Sequence, residues 1–121
     1  MTATGAFFER LADVGHDPRL CKVRGRVRFD VRDGDHVERW LLDIDHGRLR
    51  VTRDEGPAGT VITVSSEVAE AMTRGEMNGL AGIARGEILV DGDLALALRI
   101  GRLFPASSGV RRVPSERGSD R

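Results

Sequence analysis

The fold of this chain is decided by residues 23–51, VRGRVRFDVRDGDHVERWLLDIDHGRLRV. In the first third of this stretch the apolar residues Val27, Phe29 and Val31 are separated by the charged residues Arg28 and Asp30. A period of two is typical of a strand with one face in the core and the other in solvent. We therefore predict a strand over 23–31.

Two tight turns divide the same stretch into three strands. Residues 33–34, Asp-Gly, separate the first strand from a second over 37–45, and residues 45–47, Asp-His-Gly, separate the second from a third. Three consecutive strands joined in this way predict an antiparallel meander. The third strand is marked by Leu49 and Val51, and the apolar face of the second is formed by Trp40, Leu42 and Ile44.

The remaining elements follow from the spacing of apolar residues and from capping residues. Asp93 and one of Ser65 and Ser66 are the expected N-caps. We expect the fifth strand to join the sheet in parallel orientation. The last helix has only two charged residues, Arg99 and Arg102, and we expect it to be mostly buried. The predicted elements are a helix over 4–14, strands over 60–64 and 88–90, and helices over 65–75, 77–85 and 94–104.

These elements predict an α+β fold: a five-stranded, mostly antiparallel twisted sheet, covered on one face by helices and charged on the other. The 121 residues suit one domain, for which we expect the bounds 1–106. Residues 107–121 contain few apolar side chains, and we expect them to form a disordered C-terminal tail.

Composition excludes several classes of function. Nineteen basic residues balance nineteen acidic ones, without the basic excess of a nucleic-acid binder. The single cysteine, Cys21, excludes an internal disulfide framework. No stretch reaches the roughly 18 apolar residues of a membrane span, and the first residues lack a signal-peptide pattern. We expect a cytoplasmic protein, and the near absence of lysine is typical of high-GC bacterial genomes.

Arginines on the first three strands could form a site for a polyanion. Asp30, Asp43 and Asp45 lie on the same predicted face, however, and opposite charges across strands are common on a solvated sheet. We favour the solvated face over anion binding. The arginines in question are Arg24, Arg26, Arg28, Arg39, Arg48 and Arg50.

No catalytic or metal-binding constellation stands out. The histidines, at 16, 36 and 46, fall in predicted turns, and none lies at helical spacing from another. A thiolate pair of Cys21 with His16 lacks a third, orienting group. The dense glycines at 75, 79, 82 and 86 are interpreted as helix ends and close packing, with a flexible gate beside a cavity as the alternative. We expect no catalytic residues, metal or cofactor.

Soft apolar side chains are abundant around one face of the sheet, and they could fill a core or line a cavity. Composition alone favours a filled core. The residues that would line such a cavity are Phe29, Trp40, Leu42, Met72, Met77, Leu80, Ile83, Leu98, Leu103 and Phe104.

Several motifs, taken in order, resemble the sterol carrier protein two family. They are RFDVRDG at 28–34, WLLDIDHG at 40–47, VITVSS at 61–66, MTRGEMN at 72–78 with its Gly-x-x-Asn turn, and RGEILVDGDLALA at 85–97. The resemblance covers residues 7–104. It departs from the family at Glu87, where lysine is usual, and at Ile83 and Ala84, where aromatic residues are frequent.

This resemblance implies helices over a five-stranded sheet that enclose an apolar tunnel for a sterol, a fatty acyl chain or a similar lipid, without a cofactor. The sequence ends without the Ser-Lys-Leu address of peroxisomal members, which argues against a peroxisome. We expect a non-catalytic protein that binds and can carry a hydrophobic small molecule, with at most transient membrane contact. The alternatives are an accessory module for a separately encoded enzyme and, less favoured, an enzyme that uses the pocket as a reaction chamber.

Overall fold

The structure, a computed structural model, describes residues 2–105. The α+β class and the predicted order of elements are confirmed. A 3₁₀ turn, Pro18–Leu20, follows the first helix and was not expected. The elements are α1 (Ala3–Val14), β1 (Arg24–Asp33), β2 (His36–Asp45), β3 (Arg48–Thr52), β4 (Thr60–Ser65), α2 (Ser66–Thr73), α3 (Gly79–Ala84), β5 (Ile88–Asp91) and α4 (Leu94–Gly101). The predicted tail, 107–121, lies outside the described residues.

The five strands form one sheet in the order β3-β2-β1-β4-β5, with β1 at the centre. The predicted antiparallel meander of β1, β2 and β3 is confirmed. The parallel fifth strand was a wrong prediction, because β5 runs antiparallel to β4 and the one parallel pair is β1 with β4. A parallel connection usually contains one crossover helix, but here the two helices α2 and α3 separate β4 from β5. They return the chain to the end of the sheet where β4 stops, so that Ile88 pairs with Val64.

The connection from β3 to β4, residues 53–59, crosses the face of the sheet that carries no helices. It spans three strand spacings, about 14 Å, which seven residues can cover. Leu41 points to this outer face and is nevertheless buried, with Gly56 above it. Arg26 and Arg28 donate to the carbonyl oxygens of Pro57 and Gly56 at 3.5 Å and 3.2 Å, and so hold the crossing segment against the sheet.

The outer face otherwise carries paired charges, which is the interpretation favoured from the sequence. Arg26 pairs with Asp43 at 2.6 Å, and Arg28 pairs with Asp30 at 2.8 Å. Arg39 approaches the same Asp30 at 3.6 Å. Arg26, Arg28 and Arg39 are therefore engaged with acids, which favours the solvated face over a polyanion site for these three. The other three candidates, Arg24, Arg48 and Arg50, are exposed.

The inner face of the sheet is covered by the helices, with α1 and α2 toward β3 and β1 and with α3 and α4 toward β4 and β5. Phe8 of α1 stacks on Trp40 of β2 at a centroid distance of 5.1 Å, and both rings are buried.

Leu20 of the 3₁₀ turn is completely buried, which its polar surroundings in the sequence did not indicate. Val14 lies at helical spacing from the apolar residues Phe7 and Leu11, which predicts a core-facing side chain, but it is 69% exposed. The spacing of residues along a helix determines which way a side chain points. It does not determine whether the sheet extends far enough to bury that side chain.

The prediction that the last helix is mostly buried is wrong. In α4 only Ala97 and Ile100 are buried, whereas Leu94 is 48% exposed. Residues 2–105 form two layers, and none of their other helices or strands covers the outer side of this helix. The helix also ends at Gly101, and Leu103 and Phe104 lie buried in the turn that follows. None of the helices in residues 2–105 is long and apolar enough to cross a membrane.

Candidate ligand-binding cavity

A cavity of about 520 Å³ lies between the sheet and the helices α2, α3 and α4. Small-molecule sites occupy roughly 300–1,000 Å³. Strands β1, β4 and β5 form its floor through Phe29, Ile62, Ile88 and Val90. The helical side of the cavity is formed by Met72, Met77, Leu80, Ile83, Ala97, Leu98 and Phe104. Its walls are therefore predominantly apolar and rich in flexible methionine and leucine side chains.

The cavity opens to solvent between α3 and the end of α4. The rim carries exposed residues, among them Leu80, which is 61% exposed, together with Arg19, Arg102 and Pro105. An exposed leucine at the rim of an apolar cavity gives a hydrophobic molecule a continuous apolar path inward. A passage through the whole domain, as a tunnel would require, stays a prediction.

Two local features of the sequence build the wall that α3 contributes. The side-chain oxygen of Asn78 caps the helix, accepting from the backbone N–H of Leu80 at 2.8 Å and of Ala81 at 3.2 Å. Gly82 then lies against β5 so closely that a Cβ there would stand 2.5 Å from Cδ1 of Ile88. Only a glycine allows this approach, which agrees with the close-packing interpretation of the glycines.

The structure brings together seven of the ten residues proposed from the sequence as cavity lining. The seven are Phe29, Met72, Met77, Leu80, Ile83, Leu98 and Phe104. The other three, Trp40, Leu42 and Leu103, are buried in the core and are absent from the cavity lining. Trp40 instead packs on Phe8 of α1. Contact of any of these residues with a ligand stays a prediction.

Sequence reasoning missed part of the lining. Ile62, Ile88, Val90 and Ala97 also face the cavity, and an alternating apolar strand pattern does not distinguish such positions from ordinary core. Of the polar lining residues, Asn78 belongs to the Gly-x-x-Asn turn but was not proposed as lining, and Arg19 and Arg102 lie in no motif that would have identified them.

Arg19 is held in place by its neighbours. Its Nε and Nη2 donate to the carboxylate of Asp17 at 3.0 Å and 2.6 Å, and its Nη1 donates to the carbonyl oxygen of Arg102 at 2.5 Å. The hydrogen bond from Arg19 lowers the pKa of Asp17 below the ordinary carboxyl value of 3.8. This pair ties the 3₁₀ turn to the end of α4 at the rim.

The chemistry available inside the cavity is limited. Among residues 2–105 no histidine, cysteine or carboxylate lines it, and no group of three or more such side chains is arranged to hold a metal ion. His46, in the turn after β2, forms an exposed hydrogen bond with the neighbouring carboxylate of Asp45 at 2.7 Å and is not part of the cavity lining. The arrangement can enclose an apolar molecule and can donate hydrogen bonds to it at the rim.

The family model described as the SCP-2 sterol transfer family matches residues 6–105. The chain belongs to this family. That match includes every strand, the capped α3 helix and the cavity that lies beneath it. Glu87, the departure from lysine noted in the sequence of this SCP-2 family member, accepts a hydrogen bond from Nε of Arg85 at 3.0 Å.

Solved structures of SCP-2 proteins share the fold. The chain is similar to Sterol Carrier Protein 2 from Yarrowia lipolytica in its apo form, with 20% identity and a TM-score of 0.67 over 83% of this chain and 88% of that one. It is also similar to palmitated SCP2L2 from Aedes aegypti, with 18% identity and a TM-score of 0.69 over 88% of this chain and 98% of that one. At these identities the likeness establishes the fold alone.

One curated relative is much longer than this chain. The Peroxisomal multifunctional enzyme A of Dictyostelium discoideum is 25% identical over 88 residues, which are 71% of this chain and 20% of the relative. The matched part of this chain therefore spans about a fifth of the length of that protein.

Proposed function

We propose that this SCP-2 family member binds and carries a lipid or another hydrophobic small molecule in the cavity between the sheet and α3 and α4, without catalysing a reaction. The observation that carries the proposal is the cavity of about 520 Å³, whose walls are predominantly apolar. The palmitated state of the Aedes aegypti relative supports the same class of ligand.

The energetics of apolar burial agree with this function. A ligand that buries about 400 Å² of apolar surface gains on the order of 10 kcal/mol, at roughly 25 cal/mol per Å². The cost of immobilising the ligand is at least about 4 kcal/mol, which leaves about 6 kcal/mol or less and an affinity of about tens of micromolar or weaker. Such affinity suits a carrier, because the ligand can leave as well as enter.

The side chains that the described cavity offers support non-catalytic binding. The lining supplies two guanidinium groups and one amide, and none of these is a nucleophile or a base at neutral pH. A reaction chamber is the less favoured alternative, since a substrate there would find donors but no group that accepts a proton.

The experiment that tests the proposal combines native mass spectrometry of the purified protein with displacement of the neutral fluorophore phenylnaphthylamine by long-chain lipids. Leu98→Trp is the diagnostic variant, because Leu98 lines the cavity and the larger indole would project into it and obstruct the space for a ligand. The matched control is Leu94→Trp on the same helix, where the side chain is exposed and outside the lining.

We expect the wild type and Leu94→Trp to bind the ligand and Leu98→Trp to lose binding. The proposal fails when no apolar ligand is retained or displaced by the wild type. It fails equally when Leu98→Trp binds as well as the control, because the ligand would then lie elsewhere. Both variants must keep the wild-type circular dichroism spectrum.

A second function, that of an accessory module for an enzyme, is favoured by one observation. The relative from Dictyostelium discoideum contains the matching segment within a multifunctional enzyme about five times as long as the matched part. A module of this kind would present its cavity to a substrate that a separately encoded enzyme acts on. Co-purification of one enzyme with the tagged wild-type chain, lost on occlusion of the cavity rim, would support this function over free transport.

A further inference from the structure

All the aromatic residues of the chain lie in one buried cluster. The sequence contains four phenylalanines, one tryptophan and no tyrosine, and each of these five residues is at most 9% exposed. The rings come from α1, β1, β2 and the turn after α4, so the cluster joins elements that are distant in the sequence. The members of this aromatic cluster are Phe7, Phe8, Phe29, Trp40 and Phe104.

The aromatic cluster closes the cavity on the side of α1. Phe29 and Phe104 line the cavity, with their ring centroids 6.1 Å apart. Behind them, Phe7 stacks on the ring of Phe104 at 4.4 Å, with an angle of 18° between the planes. Phe8 lies 5.2 Å from Phe29 and 5.1 Å from Trp40. These three backing rings are not part of the cavity lining, so the cavity ends at the two rings in front of them.

The walls between the rim and the aromatic cluster are of a different kind. Met72 and Met77 line the helical side, and Leu80 at the rim is 61% exposed. Methionine is unbranched and adapts to irregular shapes. Stacked rings inside a close-packed core cannot give way unless the elements that carry them move. A chain that enters at the rim therefore meets adaptable walls on its way and a rigid wall at its end.

We propose that the aromatic cluster is a stop that limits the length of the hydrocarbon chain held in the cavity, and that Phe104 sets this limit. The free end of the chain would lie against the rings of Phe29 and Phe104, and the other end would stay toward solvent. A volume of about 520 Å³ holds about 17 non-hydrogen atoms, at roughly 30 Å³ for a group of the size of a water molecule. This inference rests on the proposed function and deepens it by naming the property of the ligand that the cavity selects.

A purely structural role for Phe104 makes a different prediction. Loss of a buried aromatic side chain lowers the stability of the protein, whatever the residue does for a ligand. Such a loss would change the affinity for short and long chains to a similar degree. Loss of a stop benefits the longest chains alone. The chain length at which the affinity stops rising is therefore the decisive measurement.

The experiment measures the displacement of phenylnaphthylamine by laurate, myristate, palmitate, stearate and arachidate, each below its critical micelle concentration. Every two methylene groups that enter the cavity should tighten binding about 15-fold. In the wild type we expect this gain to stop at about stearate, where the chain reaches the rings. In Phe104→Ala the gain should continue to arachidate, because the ring that blocks the chain is removed. Phe104→Leu, which costs less stability, should move the limit in the same direction by a smaller amount.

Two control variants separate the stop from other effects. Leu103→Ala removes a buried side chain next to Phe104 but outside the cavity lining, and so matches the loss of stability. Val90→Ala enlarges the cavity at β5, two strands away from Phe29. Both controls should keep the wild-type limit. A limit that moves as far in either control as in Phe104→Ala, or that stays unchanged in Phe104→Ala, would overturn the assignment to Phe104.

The wild-type series distinguishes failure of this inference from failure of the proposed function. Binding that continues to tighten about 15-fold at each step through arachidate would overturn the stop and leave the proposed function intact. Displacement by none of the fatty acids would refute the proposed function itself.

Trp40, the one tryptophan of the sequence, reports the position of the chain end without any substitution. Its ring belongs to the aromatic cluster and stacks on Phe8. Palmitate brominated at its terminal carbon should quench the Trp40 fluorescence, because bromine quenches an indole at short range, whereas palmitate itself should not. If the brominated palmitate displaces phenylnaphthylamine and leaves the fluorescence of Trp40 unchanged, the chain ends elsewhere and the proposal is overturned.

Discussion

The guanidinium of Arg28 donates a hydrogen bond to the carbonyl oxygen of Gly56, with 3.2 Å between Nη1 and the oxygen. The same side chain binds Asp30 through Nε at 2.8 Å. It therefore joins the segment that crosses the outer face, residues 53–59, to a carboxylate whose side chain is only 13% exposed. Without Arg28 the nearest cation to this carboxylate would be Arg39, at 3.6 Å.

Replacement of Arg28 by alanine should destabilise the protein by about 2 kcal/mol. The variant loses a charge-assisted hydrogen bond and leaves a nearly buried carboxylate with a distant partner. Urea denaturation measures the loss. Arg32→Ala is the control, because Arg32 lies on the same strand, is exposed and belongs to none of the ion pairs in the described residues. It should change stability by less than about 0.5 kcal/mol, and equal losses in the two variants would contradict this role.

The parts of the fold that were predictable are those that local chemistry determines. The alternation around Val27 and Phe29 fixes which face of β1 is buried. The Asp-His-Gly sequence at 45–47 fixes the second turn, where His46 has φ of 50° and Gly47 of 95°. The direction of β5 was not predictable in this way, since it depends on how two helices pack rather than on its own four residues.

The cavity was less predictable than the fold. Phe29 and Trp40 are both buried apolar residues on the inner face and are cross-strand partners, yet Phe29 lines the cavity and Trp40 packs under α1. The difference comes from how far each helix stands from the sheet, which strand periodicity does not encode. In the same way, Leu41 is buried on the outer face beneath Gly56 of the crossing segment, and Asp30 is buried beside Arg28, whose guanidinium binds that segment.

Trp40 should behave as a core residue in spectroscopy and in denaturation. Its side chain is buried against Phe8, and its Nε1 has no hydrogen-bond partner among the described residues. Iodide should therefore quench its fluorescence only weakly. Trp40→Ala should cost about 3–5 kcal/mol. Trp40→Phe should cost clearly less, since no hydrogen bond is lost, and strong iodide quenching would show that the faces of β2 are assigned wrongly.

The ion pair of Asp17 with Arg19 should contribute stability that depends on pH. The pKa of Asp17 is lowered in the folded protein from its ordinary value of 3.8, chiefly by the hydrogen bond from Arg19. Its contribution is therefore present above pH 3.8 and is lost as the pH falls through the lowered value. Because Arg19 is half exposed, we expect only about 0.5 kcal/mol.

Asp17→Asn tests this dependence because asparagine keeps the side-chain acceptor that caps the 3₁₀ turn and removes only the charge. The stability difference from the wild type, measured by urea denaturation, should be fully present at about pH 7 and should diminish as the pH falls below 3.8. A difference that persists unchanged at the lower pH would mean that the amide disturbs the turn itself. Asp13→Asn, on the exposed side of α1, serves as the control for loss of a surface charge.

Gly82→Ala should separate the two interpretations of the glycines around α3. A Cβ at this position would stand 2.5 Å from Cδ1 and 2.9 Å from Cγ1 of Ile88, a stiff β-branched residue of the cavity floor. If α3 is packed firmly on β5, the variant should lose about 1–2 kcal/mol in urea denaturation, because the strain exceeds the gain in helix propensity. Gly101→Ala on α4 is the matched control, since no atom lies within 4 Å of its added Cβ, and it should be neutral or slightly stabilising. A Gly82→Ala variant as stable as this control would show that α3 moves away from the sheet at little cost, as the alternative of a flexible gate over the cavity requires.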